Sequence, residues 1–171
     1  MSEKQQHMLA LFEKHVGAEL DSDIDTTLAT MSDEPHLTNV PTNVGGFGRK
    51  GVRAFYRDHL IGQFFPPDVK MTSVSRTVGD DQLVDELVIS FTHTRAIDFM
   101  LPGVAPTGKP VEVAFAVIVR FKDGKITHEH IYWDQACVLV QLGLLDPHGL
   151  PVTGAESARR VLNPRLASRE F

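Results

Sequence analysis

The sequence predicts an α+β fold in which three N-terminal helices pack on one face of a curved, mainly antiparallel sheet, giving a cone-shaped α+β barrel. Three observations predict it. Apolar residues recur every three or four positions in the first third of the chain, the period changes to two after Pro67, and turn signals join the later segments. Helices followed by hairpin-connected strands are typical of the α+β class.

The helices are predicted from their apolar stripes, and their ends from glycine, proline and capping residues. The Gly45–Gly48 stretch is interpreted as a turn, because it lacks the lysine and hydroxyl ending of a phosphate-binding loop. The predicted segments are a helix over 4–16 that ends at Gly17, a second over Glu19–Met31, a brief extended segment over Pro35–Pro41, and a third helix over Arg49–Leu60.

The second part of the chain predicts strands over 69–78, 83–95, 111–121 and 125–134. Asp123-Gly124 is a strong signal for a two-residue hairpin between the last two strands. A short helix ending near Gly143 follows, with Asp134 as its N-cap. We therefore expect one domain over residues 1–146 and a mobile or partner-bound tail over 147–171, with a basic cluster of Arg159, Arg160, Arg165 and Arg169.

Composition limits the functional classes. The 171 residues are 42% hydrophobic, which suits one globular domain. A net charge of −5 leaves no basic surface for a nucleic acid. No secretory leader or long apolar run is present, so no membrane segment and a cytoplasmic location are expected. The single Cys137 excludes an internal disulfide, has no Cys or His neighbours at zinc-ligand spacing, and is expected to be a buried small hydrophobe.

Several motifs occur in a recognisable order. They are Phe91–Thr94, the loop Leu101–Lys109, Asp123–Ile126, and Trp133-Asp134 followed by a leucine-rich turn ending at Gly143. In these motifs the chain resembles the SnoaL-like polyketide cyclases of the nuclear transport factor 2-like superfamily, over about residues 5–146. The resemblance implies a funnel-shaped pocket for a small molecule, no metal or organic cofactor, and a homodimer formed through the outer sheet face, where the Val/Ala run 111–119 lies.

Related enzymes of the limonene epoxide hydrolase type place a catalytic carboxylate three residues before the Asp that ends the last strand. That register makes Ile131 its counterpart here and places Glu129 and Trp133 beside it in the pocket. The related Tyr-x-Asn-x-Pro segment, which positions water, aligns with residues 37–41, where Asn39 is retained and the Tyr is a Leu. Epoxide hydrolysis by that machinery is therefore not expected.

Glu129 beside Trp133 is the first candidate for a general base, because a carboxylate against an apolar wall suits proton abstraction. The alternative is that Glu129 pairs with a nearby basic group or faces solvent. Asp134 is a second candidate base, although helix capping also explains it. His93 is a candidate acid or oxyanion donor, or a hydrogen-bonded residue at a strand end. With Asn39, Trp133 and Ile131, Phe91 completes the expected substrate-binding set.

His128 and His130 lie two apart on one strand face and resemble part of a metal site. The sequence offers no third ligand at a suitable spacing, so a surface or interface role is expected instead.

The leading hypothesis is a cofactor-independent acid–base enzyme, a cyclase or isomerase acting on a small, largely apolar carbonyl compound. One alternative is a non-catalytic domain that binds a small molecule or self-assembles. A second alternative is a hydrolase or dehydratase that holds water through Asn39.

Overall fold

The computed structural model of the chain describes residues 1–61 and 64–168. Its helices are α1 (Glu3–Leu20), α2 (Ile24–Ala29), α3 (Gly48–Phe55), α4 (Gln135–Leu142) and α5 (Glu156–Leu162), and a π-helical turn (Tyr56–Leu60) continues α3. Its strands are β1 (Met31–Asn39), β2 (Val44–Phe47), β3 (Lys70–Val78), β4 (Gln82–Thr92), β5 (Pro110–Lys122) and β6 (Lys125–Trp133).

The six strands form one sheet in the order β2-β1-β6-β5-β4-β3. Neighbouring strands are antiparallel except β1 and β6, which are parallel. Residues of α1 and α3, such as Phe12 and Val52, share one apolar core with inward-facing residues of the sheet such as Val113. The predicted α+β class, with the three N-terminal helices on one face of a mainly antiparallel sheet, is confirmed.

The prediction of four strands was wrong, because β1 and β2 add two more. The segment 35–41 is the end of a longer strand, whose parallel partner lies about 90 residues away in sequence. The predicted glycine turn is β2, which pairs with β1. A Cβ atom at Gly45 would lie 1.9 Å from the Leu37 carbonyl oxygen, and one at Gly46 would lie 2.4 Å from the Gly51 carbonyl. Glycine is present here because backbones approach closely, and it leaves no apolar alternation to detect.

The bounds of the first two helices also differ from prediction. α1 continues through Gly17, which faces open space, and reaches Leu20. It ends before Ser22, whose positive φ of 61° breaks the helical path. Asp23 then caps the much shorter α2, accepting a hydrogen bond from the Thr26 backbone N–H at 2.9 Å.

Residues 156–162, expected to belong to a mobile or partner-bound tail, form α5. Ala158 is fully buried, and the Arg159 guanidinium forms a bidentate pair with Glu112 of β5. Glu112 alternates with the inward-facing Val111 and Val113, so α5 lies against the outer face of the sheet. The homodimer through that face and the domain boundary at residue 146 stay predictions. Arg169 of the predicted basic cluster lies outside the described residues.

Among the described residues, none of the helices combines the length and the apolar character that crossing a membrane requires.

Candidate active site

A cavity of about 450 Å³ lies between α1, the end of α3 and the inner face of the sheet. Its wall is mostly aromatic and aliphatic, with Phe12 and Val16 contributed by α1 and Phe115 and Val117 by β5. A concave, apolar cavity with a few polar groups is the usual form of a small-molecule site. The polar groups in its wall therefore indicate what it binds or does.

Glu129 of β6 is one of these groups, and its side chain is 5% exposed. A bulge in β6 sets its direction. Arg120 of β5 pairs with His128 of β6, but the next β5 residue, Phe121, pairs with Ile126. Thr127 is therefore an extra residue in β6 without a partner on β5. The bulge allows Ile126 and Glu129 to be buried on the same side of the sheet, although they are three residues apart.

His15 of α1 holds the Glu129 carboxylate. Its Nε2 atom lies 3.3 Å from Glu129 Oε2 and 3.3 Å from Glu19 Oε1, and the His15 side chain is fully buried. Its Nδ1 atom lies 2.6 Å from the Thr30 hydroxyl oxygen. The buried imidazole therefore lies between two carboxylates and one hydroxyl group.

The hydrogen-bond pattern gives the protonation state of His15. The Thr30 hydroxyl donates to the Thr27 carbonyl oxygen at 2.6 Å, so its oxygen accepts from Nδ1–H of His15. On the other side, Nε2 faces two carboxylates, which only accept, so it also carries a proton. Burial lowers the pKa of His15, but the charges and hydrogen bonds of Glu129 and Glu19 outweigh it and raise the pKa well above 6.5. His15 is an imidazolium at neutral pH, and its charge offsets the cost of burying Glu129.

Tyr56, at the start of the π-helical turn, completes this network. Its hydroxyl donates to Glu19 Oε1 at 2.7 Å and lies 3.2 Å from His15 Nε2. Burial raises the pKa of Tyr56 well above 10, and the charges of Glu19 and Glu129 raise it further. The phenol therefore stays protonated and acts as a fixed donor. π-helical turns often occur at functional sites.

Asn39, at the end of β1, is another buried polar group of the cavity wall. Its amide N–H donates to the Val44 carbonyl oxygen at 3.1 Å, which fixes the orientation of the amide. Its Oδ1 atom has no hydrogen-bond partner among the described residues. A buried acceptor without a partner costs free energy. Asn39 Oδ1 is therefore a candidate acceptor for a hydroxyl or N–H group.

The structure places Ile131 in the cavity wall with Glu129 and Asn39. Trp133 and Phe91 are buried beside the cavity but outside its lining. The Trp133 ring stacks on Phe115 at 5.2 Å, and its indole N–H donates to the Gln135 side chain. These two residues support the wall.

His93 and Asp134 lie outside the cavity lining. His93 is fully buried, and its Nδ1 accepts from the Thr107 backbone N–H at 3.3 Å. Burial lowers the pKa of His93. Asp134 is exposed and accepts from the Cys137 backbone N–H at 3.1 Å as the N-cap of α4. Their contacts thus order a hairpin loop and a helix end.

The sequence interpretation missed His15, Glu19 and Tyr56. One signal was present for His15, because it follows Met8 and Phe12 at helical spacing and so falls on the apolar face of α1. A titratable residue on a core-facing stripe needs a buried partner. Nothing in the sequence shows that Glu129, more than 100 residues away, is that partner.

Two groups of side chains place three potential metal ligands within 4.8 Å of one another among the described residues. One is His15, Glu19 and Glu129, where the imidazolium supplies the positive charge that a cation would supply. The other lies on the opposite sheet face and consists of His36, His128 and His130.

A sequence profile of the SnoaL-like domain matches residues 11–129, which is more than half of the chain. The chain belongs to the SnoaL-like domain family. This confirms the resemblance that the motifs indicated. A search of curated protein sequences found no match.

Solved structures agree with the family's fold. A proposed SnoaL-like polyketide cyclase from Jannaschia sp. CCS1 has a TM-score of 0.67 at 15% identity, over 85% of this chain and 98% of that one. TsrD from Streptomyces laurentii has a TM-score of 0.62 at 20% identity, over 85% and 99%. A protein with a ketosteroid isomerase-like fold from Catenulispora acidiphila, in complex with trimethylamine, has a TM-score of 0.58 at 15% identity, over 79% and 93%. At these identities the likeness shows the nuclear transport factor 2-like fold alone.

Proposed function

We propose that this SnoaL-like chain is an acid–base enzyme, a cyclase or isomerase acting on a small, largely apolar carbonyl compound, with Glu129 as its base. The observation that carries the proposal is the buried carboxylate of Glu129 in the wall of an apolar cavity, held at 3.3 Å by the His15 imidazolium. A carboxylate fixed in a water-poor cavity is placed to remove a proton from a bound carbon acid.

The proposed step balances within the substrate and Glu129. The carboxylate takes a proton from the carbon next to a carbonyl group, and the electron pair of the broken C–H bond moves to the carbonyl oxygen as an enolate. In an isomerisation, protonated Glu129 returns the proton to another carbon. In a ring closure, the enolate carbon attacks a second carbonyl carbon of the same molecule, and the resulting alkoxide takes the proton.

The remaining groups have supporting roles in this proposal. Asn39 Oδ1 accepts a hydrogen bond from a substrate hydroxyl group and so orients the substrate. His15 holds the Glu129 carboxylate from behind the wall. Glu19, which also lines the cavity, shares the His15 cation and accepts a hydrogen bond from the Tyr56 hydroxyl. His15, Glu19 and Tyr56 are positioning residues. The position of Ile131 makes this part of the wall apolar, which suits a largely apolar substrate.

The test is exchange of hydrogen for deuterium in 2-tetralone, a cyclic ketone with acidic C–H groups next to its carbonyl. The protein is incubated with it in D2O, and the loss of the proton signal is followed by NMR. We expect saturable exchange with the wild type and a loss of at least about 100-fold with Glu129→Gln. Glu13→Gln is the matched control, because Glu13 also lines the cavity but its side chain is 62% exposed.

Equal exchange rates for the wild type and Glu129→Gln would refute the base assignment. Binding of the ketone without any exchange would support the alternative of a non-catalytic binding domain. That alternative is favoured by the apolar Ile131 at the position where related enzymes carry a carboxylate. Fluorescence of Trp133, the only tryptophan, reports binding separately from exchange because it stacks on Phe115 in the cavity wall.

A further inference from the structure

Three histidines meet on the outer face of the sheet, opposite the cavity. His128 and His130 alternate with the inward-facing Glu129 along β6, and His36 is the cross-strand partner of His128 on the parallel strand β1. From the sequence, only His128 and His130 on β6 were recognised as possible metal ligands. The parallel pairing supplies the third imidazole, which no local spacing could show.

The three rings are close enough that rotation of their side chains would bring one nitrogen atom of each to a shared ion. The Nε2 atoms of His36 and His130 are 3.2 Å apart. Two nitrogen ligands on a tetrahedral zinc ion, each at about 2.0–2.1 Å, lie about 3.3 Å apart. His128 stacks on both rings, with centroids 4.8 Å from His36 and 4.3 Å from His130, and the potential ligand atoms of all three lie within 4.8 Å.

Imidazole binds a metal through the lone pair of a ring nitrogen. Neutral imidazole carries the lone pair that a metal takes, whereas imidazolium does not. The cluster is also half-buried rather than enclosed, so water can reach a fourth coordination position.

The ligand type selects the class of metal. Imidazole nitrogen prefers zinc, copper and nickel, whereas magnesium and calcium prefer oxygen ligands. A hydrogen bond between His36 and His130 accounts for the 3.2 Å distance without a metal, but it does not account for the third imidazole, that of His128, stacked beside both rings.

We propose that His36, His128 and His130 form a binding site for one divalent zinc-type transition-metal ion, with water in the fourth position. The site ties β1 to β6 on the face opposite the cavity. It shares no residue with the proposed acid–base site, so either proposal can fail without the other.

The test is calorimetric titration of ZnCl2 into the full-length, untagged protein, since a histidine tag would itself bind zinc. We expect one zinc per chain, and a loss of affinity of at least about 100-fold for each of His36→Gln, His128→Gln and His130→Gln. His7→Gln is the matched control, because His7 is exposed on α1, and should bind as the wild type does. Replacing ZnCl2 with CoCl2 should give the visible absorption of tetrahedral cobalt, and MgCl2 should give no binding.

Absence of zinc binding by the wild type would overturn the proposal. So would unchanged affinity in the three single variants. Zinc binding that survives in a variant carrying all three histidine substitutions but is lost in Glu129→Gln would also overturn the proposal, because it would assign the ion to the group of His15, Glu19 and Glu129. Circular dichroism of each variant checks that the fold is retained.

Discussion

The buried imidazolium gives the most direct test of the candidate active site. Replacing His15 with Gln removes the cation that lies 3.3 Å from both Glu19 and Glu129 and leaves the two carboxylates facing each other. Breaking a buried ion pair by removing one partner costs about 3–5 kcal/mol. The Gln amide can donate to one carboxylate and recover about 1 kcal/mol. We therefore expect His15→Gln to lower the free energy of unfolding by about 2–4 kcal/mol.

The measurement is urea unfolding followed by the fluorescence of Trp133, which is buried behind the cavity wall. Comparison of the slopes against urea concentration shows whether the variant still unfolds in one cooperative step. His7→Gln, an exposed histidine of the same helix, is the control and should change the free energy by less than about 0.5 kcal/mol.

A second substitution makes the reasoning refutable. Adding Glu129→Gln to His15→Gln removes one of the two opposed carboxylates, so it should restore part of the lost stability. A loss of less than about 1 kcal/mol in His15→Gln, or a double variant less stable than the single one, would refute the assignment of His15 as a buried cation.

The raised pKa of His15 also fixes the sign of the pH dependence. Between the unfolded pKa near 6.5 and the higher folded value, the folded chain holds a proton that the unfolded chain has released. The contribution of this group is therefore complete below about pH 6.5, and above it falls by about 1.4 kcal/mol per pH unit until the folded pKa is reached. The double variant lacks both partners and should not show this component. If the free energy of unfolding changed with pH equally in the wild type and the double variant, the assignment of His15 as a buried cation would be contradicted.

Three further predictions concern two glycines, the N-cap of α4 and the packing of α5. Gly46→Ala should destabilise the protein by more than about 2 kcal/mol in urea unfolding, because its Cβ would lie 2.4 Å from Gly51, whereas Gly17→Ala, in open space within α1, should stabilise it by about 0.5–1 kcal/mol. Asp134→Ala should cost about 1 kcal/mol through the lost N-cap and leave the ketone exchange rate unchanged, and a loss of exchange would give Asp134 a role in the chemistry. Ala158→Asp buries a charge under α5 and should make this helix sensitive to trypsin, as followed by mass spectrometry; equal sensitivity in the wild type would show that α5 is not held on the sheet.

The sequence supported those parts of the fold in which local patterns repeat. The alternation along β4 and β5 and the Asp123-Gly124 turn predicted their strands well, and the parity of β6 placed Glu129 and Ile131 together. β1 and β2 were harder to predict because their pairing depends on a distant strand and on glycines that carry no pattern.

The site itself was predicted only in part, because its charges are joined across long sequence separations. Glu129 and Asn39 were candidates from motif and parity, and both line the cavity. His15 and Glu19 lie on a helix whose pattern shows only that it packs inward. The packing of α1 on the sheet decides which charged residues pair. A single sequence does not contain that information directly.

The attachment of α1 has a kinetic consequence for any ligand. This helix supplies both Phe12 and Val16 of the cavity wall and the His15 cation that holds Glu129. Lifting it from the sheet would open the cavity and, in the same movement, separate the ion pair. A ligand that used this route would meet Glu129 without its counter-ion, so rearrangement of α1, rather than diffusion, would set the pace of productive binding along that path.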